Sequence, residues 1–244
     1  MNSPFTTREI MIAAAAREIH DDEIVFVGMR LPLVAFAVAK ALYAPSAIGV
    51  FENGVLRDRS ASAPIVTMSD PPNLSEALAC TGLLEVMSLL QRGRIDLGFI
   101  GGAEIDRFGN LNTTVTQGVR LPGSGGAADI ASFARRTVII MPHERRRFQE
   151  RVSYCTSPGH GEGNDWRRRV GLPGGGPSVV VTSLGVFGFA SSGEMQLESL
   201  HPGVTVDEVR TNTGWEVRLA PSVGITSAPT AEELALIRRF DTLE

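Results

Sequence analysis

Two apolar runs of strand length constrain what this chain can fold into. The first is Ile24-Val25-Phe26-Val27-Gly28 and the second is Ala47-Ile48-Gly49-Val50-Phe51. Each is continuously apolar, as expected of a strand covered on both faces. Between them, Pro32 suits the first turn of a helix over 32–43, with Leu33, Phe36, Ala37, Ala41 and Leu42 on its apolar face and Pro45 as its stop. Strand, helix and strand at this spacing form a βαβ unit, which predicts an α/β fold: a parallel sheet with helices on both faces.

With 244 residues the chain can bury a sizeable core, and no internal repeat or linker divides it, so 1–244 reads as one domain. Hydrophobic residues make up 43% and charged residues 20%, a globular composition. A net charge of −4 argues against nucleic acid as a partner. Cys80 and Cys155 are the only cysteines and show no metal or redox spacing, which fits a reduced, cytoplasmic setting. No stretch approaches the length of a membrane span, and no basic-then-apolar leader is recognisable.

Thr6-Thr7-Arg8-Glu9 carries the residues of a capping box and opens a helix to about His20. Residues 57–73 are polar and proline-bearing and predict a long irregular connection. The segment 74–90 reads as a helix with Cys80 as a small core residue. Buried strands are expected at 95–100 and 137–141, a hairpin-like turn at 107–110, a long glycine-rich loop at 158–177, and β-rich pieces at 178–189 and 194–199. Thr205 and Thr230 cap the last two helices.

The second strand ends at Glu52-Asn53-Gly54. Asn-Gly is a strong turn signal, and a carboxylate at the carboxyl end of such a strand lies where open α/β sheets place their ligand crevice. Taken alone, a solvated loop glutamate is the ordinary reading of these three residues. Pro122-Gly123-Ser124-Gly125-Gly126 precedes a helix running to about Ala134, and backbone N–H groups there can form an anion-binding concavity. Gly123-x-Gly125-x-x-Ala128 matches a dinucleotide fingerprint formally. It lacks the preceding buried strand, because 111–121 is rich in Thr and Asn, so a tight packing turn is the alternative. Arg145-Arg146-Arg147 and Arg167-Arg168-Arg169 read as solvated faces paired with Glu144, Glu150 and Asp165. The four histidines show no ligand spacing, so no metal is expected.

Together these motifs resemble the β subunit, or β half, of class I coenzyme A transferases. Glu52-Asn53-Gly54-Val55-Leu56 resembles that family's catalytic glutamate motif. Gly102-Ala103-Glu104-Ile105-Asp106, Gly109-Asn110-Leu111-Asn112 and Gly123-Ser124-Gly125-Gly126-Ala127 resemble its later motifs in the same order. Met141-Pro142-His143-Glu144-Arg145-Arg146-Arg147-Phe148 and Thr156-Ser157-Pro158-Gly159 look most like the β subunits of glutaconate CoA-transferases. The likeness spans Val27 to Glu233; Phe51 stands where many relatives carry serine.

The resemblance implies a catalytic Glu52 that becomes a glutamyl-CoA thioester, coenzyme A as part of the substrate, and no metal. It implies an α-type partner subunit in an α2β2 or higher assembly, with a carboxylic acid such as the dicarboxylate glutaconate as the second substrate. Asn53, Gly54, Gly102, Asn112, Gly123, Gly125 and Gly126 are the expected oxyanion- and substrate-binding residues. Either Asn53 or Asn112 could orient the carboxylate or the oxyanion. Family members that lack the glutamate hydrolyse or decarboxylate CoA esters; its presence here favours transfer, and a non-catalytic CoA-binding subunit is the remaining alternative.

Overall fold

The computed structural model describes residues 4–241. Thr6 caps α1 (Thr7–Arg17) through the expected box: its hydroxyl accepts from the Glu9 N–H at 3.2 Å, and Glu9 Oε2 accepts from the Thr6 N–H at 2.7 Å. β1 (Ile24–Phe26), α2 (Leu31–Leu42) and β2 (Ile48–Val50) form the βαβ unit. The chain then reverses into β3 (Val55–Arg57), passes through α3 (Pro71–Leu74), and adds β4 (Ala79–Cys80) at the sheet edge. α4 (Leu83–Gln91) and β5 (Leu97–Ile100) follow. β6 (Glu104–Ile105) pairs with β7 (Leu111–Asn112), and β8 (Val115–Thr116) with β9 (Val119–Arg120), as two small hairpins. The remaining elements are α5 (Ala127–Phe133), β10 (Arg136–Met141), α6 (Trp166–Arg169), β11 (Pro177–Thr182), β12 (Gly185–Phe189), β13 (Met195–Leu200), α7 (Val206–Thr211), β14 (Arg218–Ile225) and α8 (Ala231–Phe240).

Ten strands make one mixed sheet in the order β14-β13-β12-β11-β10-β5-β1-β2-β3-β4. Its centre, β11-β10-β5-β1-β2, is parallel throughout, as the apolar runs predict. From β1 the chain steps to β2 on one side, while the next parallel strand, β5, joins β1 on the other. That reversal opens a crevice at the carboxyl ends of β1 and β5.

Alternate side chains divide the core into two layers. Val25, Val27, Leu97, Phe99, Val138 and Ile140 pack beneath α1, α2 and α8; Phe26, Ile100, Ile139 and Met141 pack with Ile130 of α5 and Leu90 of α4 on the opposite face. No helix of the described residues is long and apolar enough to cross a membrane.

The segment 74–90 departs from the helix expected of it. Only Leu83–Gln91 is a long helix, while the chain before it is extended against β3. Leu78 N–H donates to Leu56 O at 2.8 Å and Thr81 N–H to Gly54 O at 2.8 Å. Cys80 is therefore an exposed edge-strand residue rather than part of the core. Pairing with an available sheet edge outweighs helical periodicity here. The 57–73 connection is irregular apart from β3 and α3, and it is organised by the fully buried Arg57. Its guanidinium donates to the carbonyls of Asn73 at 2.7 Å, Ser75 at 2.6 Å and Pro72 at 3.2 Å.

Candidate active site

Glu52 follows β2 directly, in a turn closed by Gly54 N–H donating to Phe51 O and Phe51 N–H donating to Val55 O, both at 2.9 Å. Gly54 has φ +101°, and a Cβ there would lie 2.3 Å from Thr81 O, so both backbone angle and space demand glycine. Asn53 anchors the turn sideways, its Nδ2 donating to Met68 O at 2.7 Å. The outcome is a half-buried Glu52 side chain at the carboxyl edge of the parallel sheet.

That side chain lines a crevice of ≈ 460 Å³ at the strand-order reversal. Its walls are Gly28 to Pro32 after β1, Met68 of the 57–73 connection, Ile100 at the end of β5 and Gly101 after it, Ser124 to Ala127, and Pro142 after β10. This is the size of a small-molecule site with few polar groups.

The glycine turn faces Glu52 across the crevice. A Cβ on Gly126 would lie 3.0 Å from Glu52 Oε1 and 3.0 Å from the Met87 methyl; one on Gly125 would lie 4.0 Å from the same oxygen. Gly123 and Gly125 hold φ of +98° and +48°, which lets the chain turn into α5 with this clearance. Gly123 N–H is taken by Thr113 O at 2.8 Å. No acceptor engages the Gly125 or Gly126 N–H among the described residues, which leaves both donors available to a ligand oxygen.

Two arginines line the crevice and differ in their commitments. Arg8 is held by Asp241, with Nε–Oδ2 at 2.5 Å and Nη2–Oδ1 at 2.9 Å, and the hydrogen bonds it donates to Asp241 raise its pKa. Arg30 is exposed and makes no ion pair or side-chain hydrogen bond among the described residues. It stands at the N-cap of α2 with φ +64° and ψ −114°, outside even the left-handed helical region. Such a backbone costs on the order of 1–3 kcal/mol in a non-glycine residue.

The other sequence-nominated residues lie away from Glu52. Asn112 is fully buried and donates to Glu104 Oε2 at 2.8 Å and Val115 O at 2.7 Å. Burial works to raise the Glu104 pKa, but donors from Thr116, Asn112 and Ser153 outweigh it and hold the carboxyl below its ordinary range. Gly102 packs under Leu111, where a Cβ would meet Leu111 Cδ2 at 2.9 Å; the neighbouring Gly101 is the one at the crevice.

In the basic triplets, Arg146 pairs with Glu144 at 2.5 Å, and Arg168 and Arg169 with Asp165 at 2.8 and 3.1 Å. Arg167 differs from the solvated reading. It is buried, its pKa is pushed down to about 10 by that burial, and it donates to the carbonyls of Gly174, Gly159 and Ala131 at 2.8 Å each. It ties the 158–177 loop to α5.

Sequence reasoning missed Arg30, Met68, Met87 and Gly101. Gly28-Met29-Arg30-Leu31-Pro32 was legible as a strand-to-helix turn at the end of β1, where crevice residues gather, but nothing local marks Met68 or Met87.

The Coenzyme A transferase family profile matches residues 8–212. The β subunit of the 3-oxoadipate CoA-transferase of Pseudomonas knackmussii is 40% identical, over 98% of this chain and 94% of that one. The β subunit of the glutaconate CoA-transferase of Acidaminococcus fermentans is 33% identical over 96% and 91%. The crystal structure of that glutaconate enzyme superposes with a TM-score of 0.87, covering 99% of this chain and 96% of its own. The decarboxylase AibA/AibB superposes at 0.82 with 26% identity, covering 97% of this chain and 95% of that one.

Proposed function

The chain belongs to the coenzyme A transferase family as a subunit of the β type, and on that premise we propose that, with an α-type partner, it moves CoA between an acyl-CoA and a free dicarboxylic acid through a thioester on Glu52. The observation that carries this reading is Glu52 at the carboxyl end of β2, lying against the glycine turn whose Gly125 and Gly126 N–H groups have no acceptor among the described residues. The dicarboxylate preference is supported by the relatives' names, since 3-oxoadipate and glutaconate both carry two carboxylates.

Exchange between two acids needs a nucleophile of the same kind as the substrates. The Glu52 carboxylate attacks the thioester carbonyl, the C–S bond breaks, and a mixed acyl anhydride and CoA thiolate result. The thiolate then attacks the Glu52 carbonyl of the anhydride, which releases the donor acid and leaves Glu52 as its CoA thioester. The acceptor carboxylate repeats both steps in reverse. Each addition develops an oxyanion, and one preorganised donor contributes roughly 2.7–4 kcal/mol to its stabilisation. Gly125 and Gly126 N–H are the donors in this scheme. The aspect of the pocket that suits the thioester is its apolar wall of Phe26, Phe99 and Ile100, which keeps water from the intermediate.

The test is mass spectrometry of the complex after acyl-CoA is supplied without an acceptor. A CoA adduct is expected on the peptide containing Glu52, absent from Glu52→Gln and discharged by added carboxylic acid. Transfer by Glu52→Gln would overturn the mechanism. Because a decarboxylase shares the fold, CoA release and CO₂ are measured with and without acceptor; acceptor-independent turnover would favour that chemistry instead.

A further inference from the structure

Among the described residues, Arg30 is the one crevice cation without an anionic partner inside the chain. We infer that Arg30 is a specificity-determining residue that binds the distal carboxylate of the dicarboxylic acid whose near carboxylate exchanges CoA at Glu52. The inference rests on the transferase reading and names the residue that would read the second charge.

Three observations converge. First, Arg30 and Glu52 line the same crevice from adjacent parallel strands, β1 and β2, so an acid reacting at Glu52 extends toward the β1 end. Second, the charges within this wall do not cancel. Arg8 is consumed by Asp241 and Glu52 is the nucleophile, which leaves the Arg30 guanidinium as the sole uncommitted charge among the described lining residues. A guanidinium offers paired donors matched to a carboxylate.

Third, the backbone of Arg30 is strained, at φ +64° and ψ −114°, where glycine would sit at little cost. No capping bond or ion pair of its side chain offsets that strain among the described residues. A strained residue whose side chain is idle in the folded protein fits a role in binding a ligand. The shared chemistry, an anion on a guanidinium, could also come from a CoA phosphate. Its place in the crevice that holds Glu52, where the thioester reacts, favours the carboxylate.

The experiment uses the reconstituted complex with acetyl-CoA as donor and acids paired by carbon number: pentanedioate against pentanoate, hexanedioate against hexanoate. In Arg30→Met the diacid-to-monoacid ratio of kcat/KM is expected to fall about 10–100-fold, the loss of a charged hydrogen-bonded contact. The loss should sit mainly in the KM for the diacid, Arg30→Lys should recover part of it, and the KM for acetyl-CoA should hold. An unchanged ratio overturns the assignment, as does a shift confined to the acetyl-CoA KM, which would identify a phosphate contact. Should the wild-type complex transfer CoA to neither acid, the transferase reading fails on its own. Calorimetric binding of pentanedioate to wild type and Arg30→Met then decides the role of Arg30, equal affinity counting against it.

Discussion

Gly126 stands so close to Glu52 that a methyl group on it would lie 3.0 Å from Glu52 Oε1. The backbone at Gly126 has φ −76°, which any residue can adopt, so the demand for glycine there comes from the carboxylate and Met87 rather than from the chain. Gly126→Ala is therefore expected to fold with a melting temperature near wild type while kcat falls about 10²-fold through misplacement of the nucleophile. Kinetics alongside thermal melting check this; unaltered kcat in the folded variant would remove Gly126 from the site.

Glu52→Asp withdraws the carboxylate by one methylene, about 1.5 Å, from the same glycine turn, and displacement of ~1 Å can cost ~10²-fold. The vacated space suits a water molecule. Transfer is expected to collapse while slow, acceptor-independent hydrolysis of acyl-CoA emerges, measured as free thiol released without any second acid.

His143 sets part of the acid limit of the fold. It is buried against Phe148, with ring centroids 3.7 Å apart, and Thr182 and Thr213 neighbour its nitrogens at 3.3 and 3.0 Å. Burial lowers its pKa to about 3. An unfolded histidine binds a proton near pH 6.5 that the folded one refuses. Stability should thus be intact above that pH and fall by up to about 1.4 kcal/mol per pH unit from pH 6.5 toward 3 on account of this one group. Urea unfolding at pH 5 and 7.5 should show a pH dependence shallower by one proton in His143→Gln. Equal slopes would mean that His143 is accessible to protons in the folded state.

Arg57 carries the connection that forms the Met68 wall. Arg57→Met leaves the carbonyls of Pro72, Asn73 and Ser75 without their donor, a loss of about 2–4 kcal/mol for several buried acceptors. Limited proteolysis is expected to begin within 58–75. Activity should fall with it, because Asn53 and its neighbour Glu52 are anchored through Met68 O.

The parts of this molecule that were legible in the sequence are those fixed by short-range rules. The strand at 47–51, the Asn-Gly reversal after Glu52 and the capping boxes at Thr6 and Thr230 each follow from a few adjacent residues, and each stands in the structure. β14 was illegible because Pro221 interrupts the alternation of Leu219, Val223 and Ile225; its partner β13 determines it. Cys80 was misplaced because Leu74, Ala77 and Leu78 imitate helical spacing, whereas the helix ends at Leu74 and the free edge of β3 takes Leu78 to Thr81 as extended chain. Arg167 looks solvated until the glycine-rich loop closes around it and its carbonyls need donors. Asn112 and Gly126 sit in similar glycine- and polar-rich surroundings, and only the tertiary fold separates the one that serves Glu104 from the one that faces Glu52.

The crevice is assembled from segments that begin at Arg8 and finish at Pro142, drawn from α1, from the ends of β1, β2, β5 and β10, and from the connections that hold Met68 and Gly126. It consequently has no local precursor: its walls belong to different strand ends and connections, and neighbouring strand ends meet only after their parallel pairing is complete. Parallel pairing is slow because loops must close before contacts reward them. Enzymatic competence should accordingly be among the last properties to return on refolding, lagging helical circular dichroism, and a proteolytic cut anywhere between the first wall and the last should abolish it.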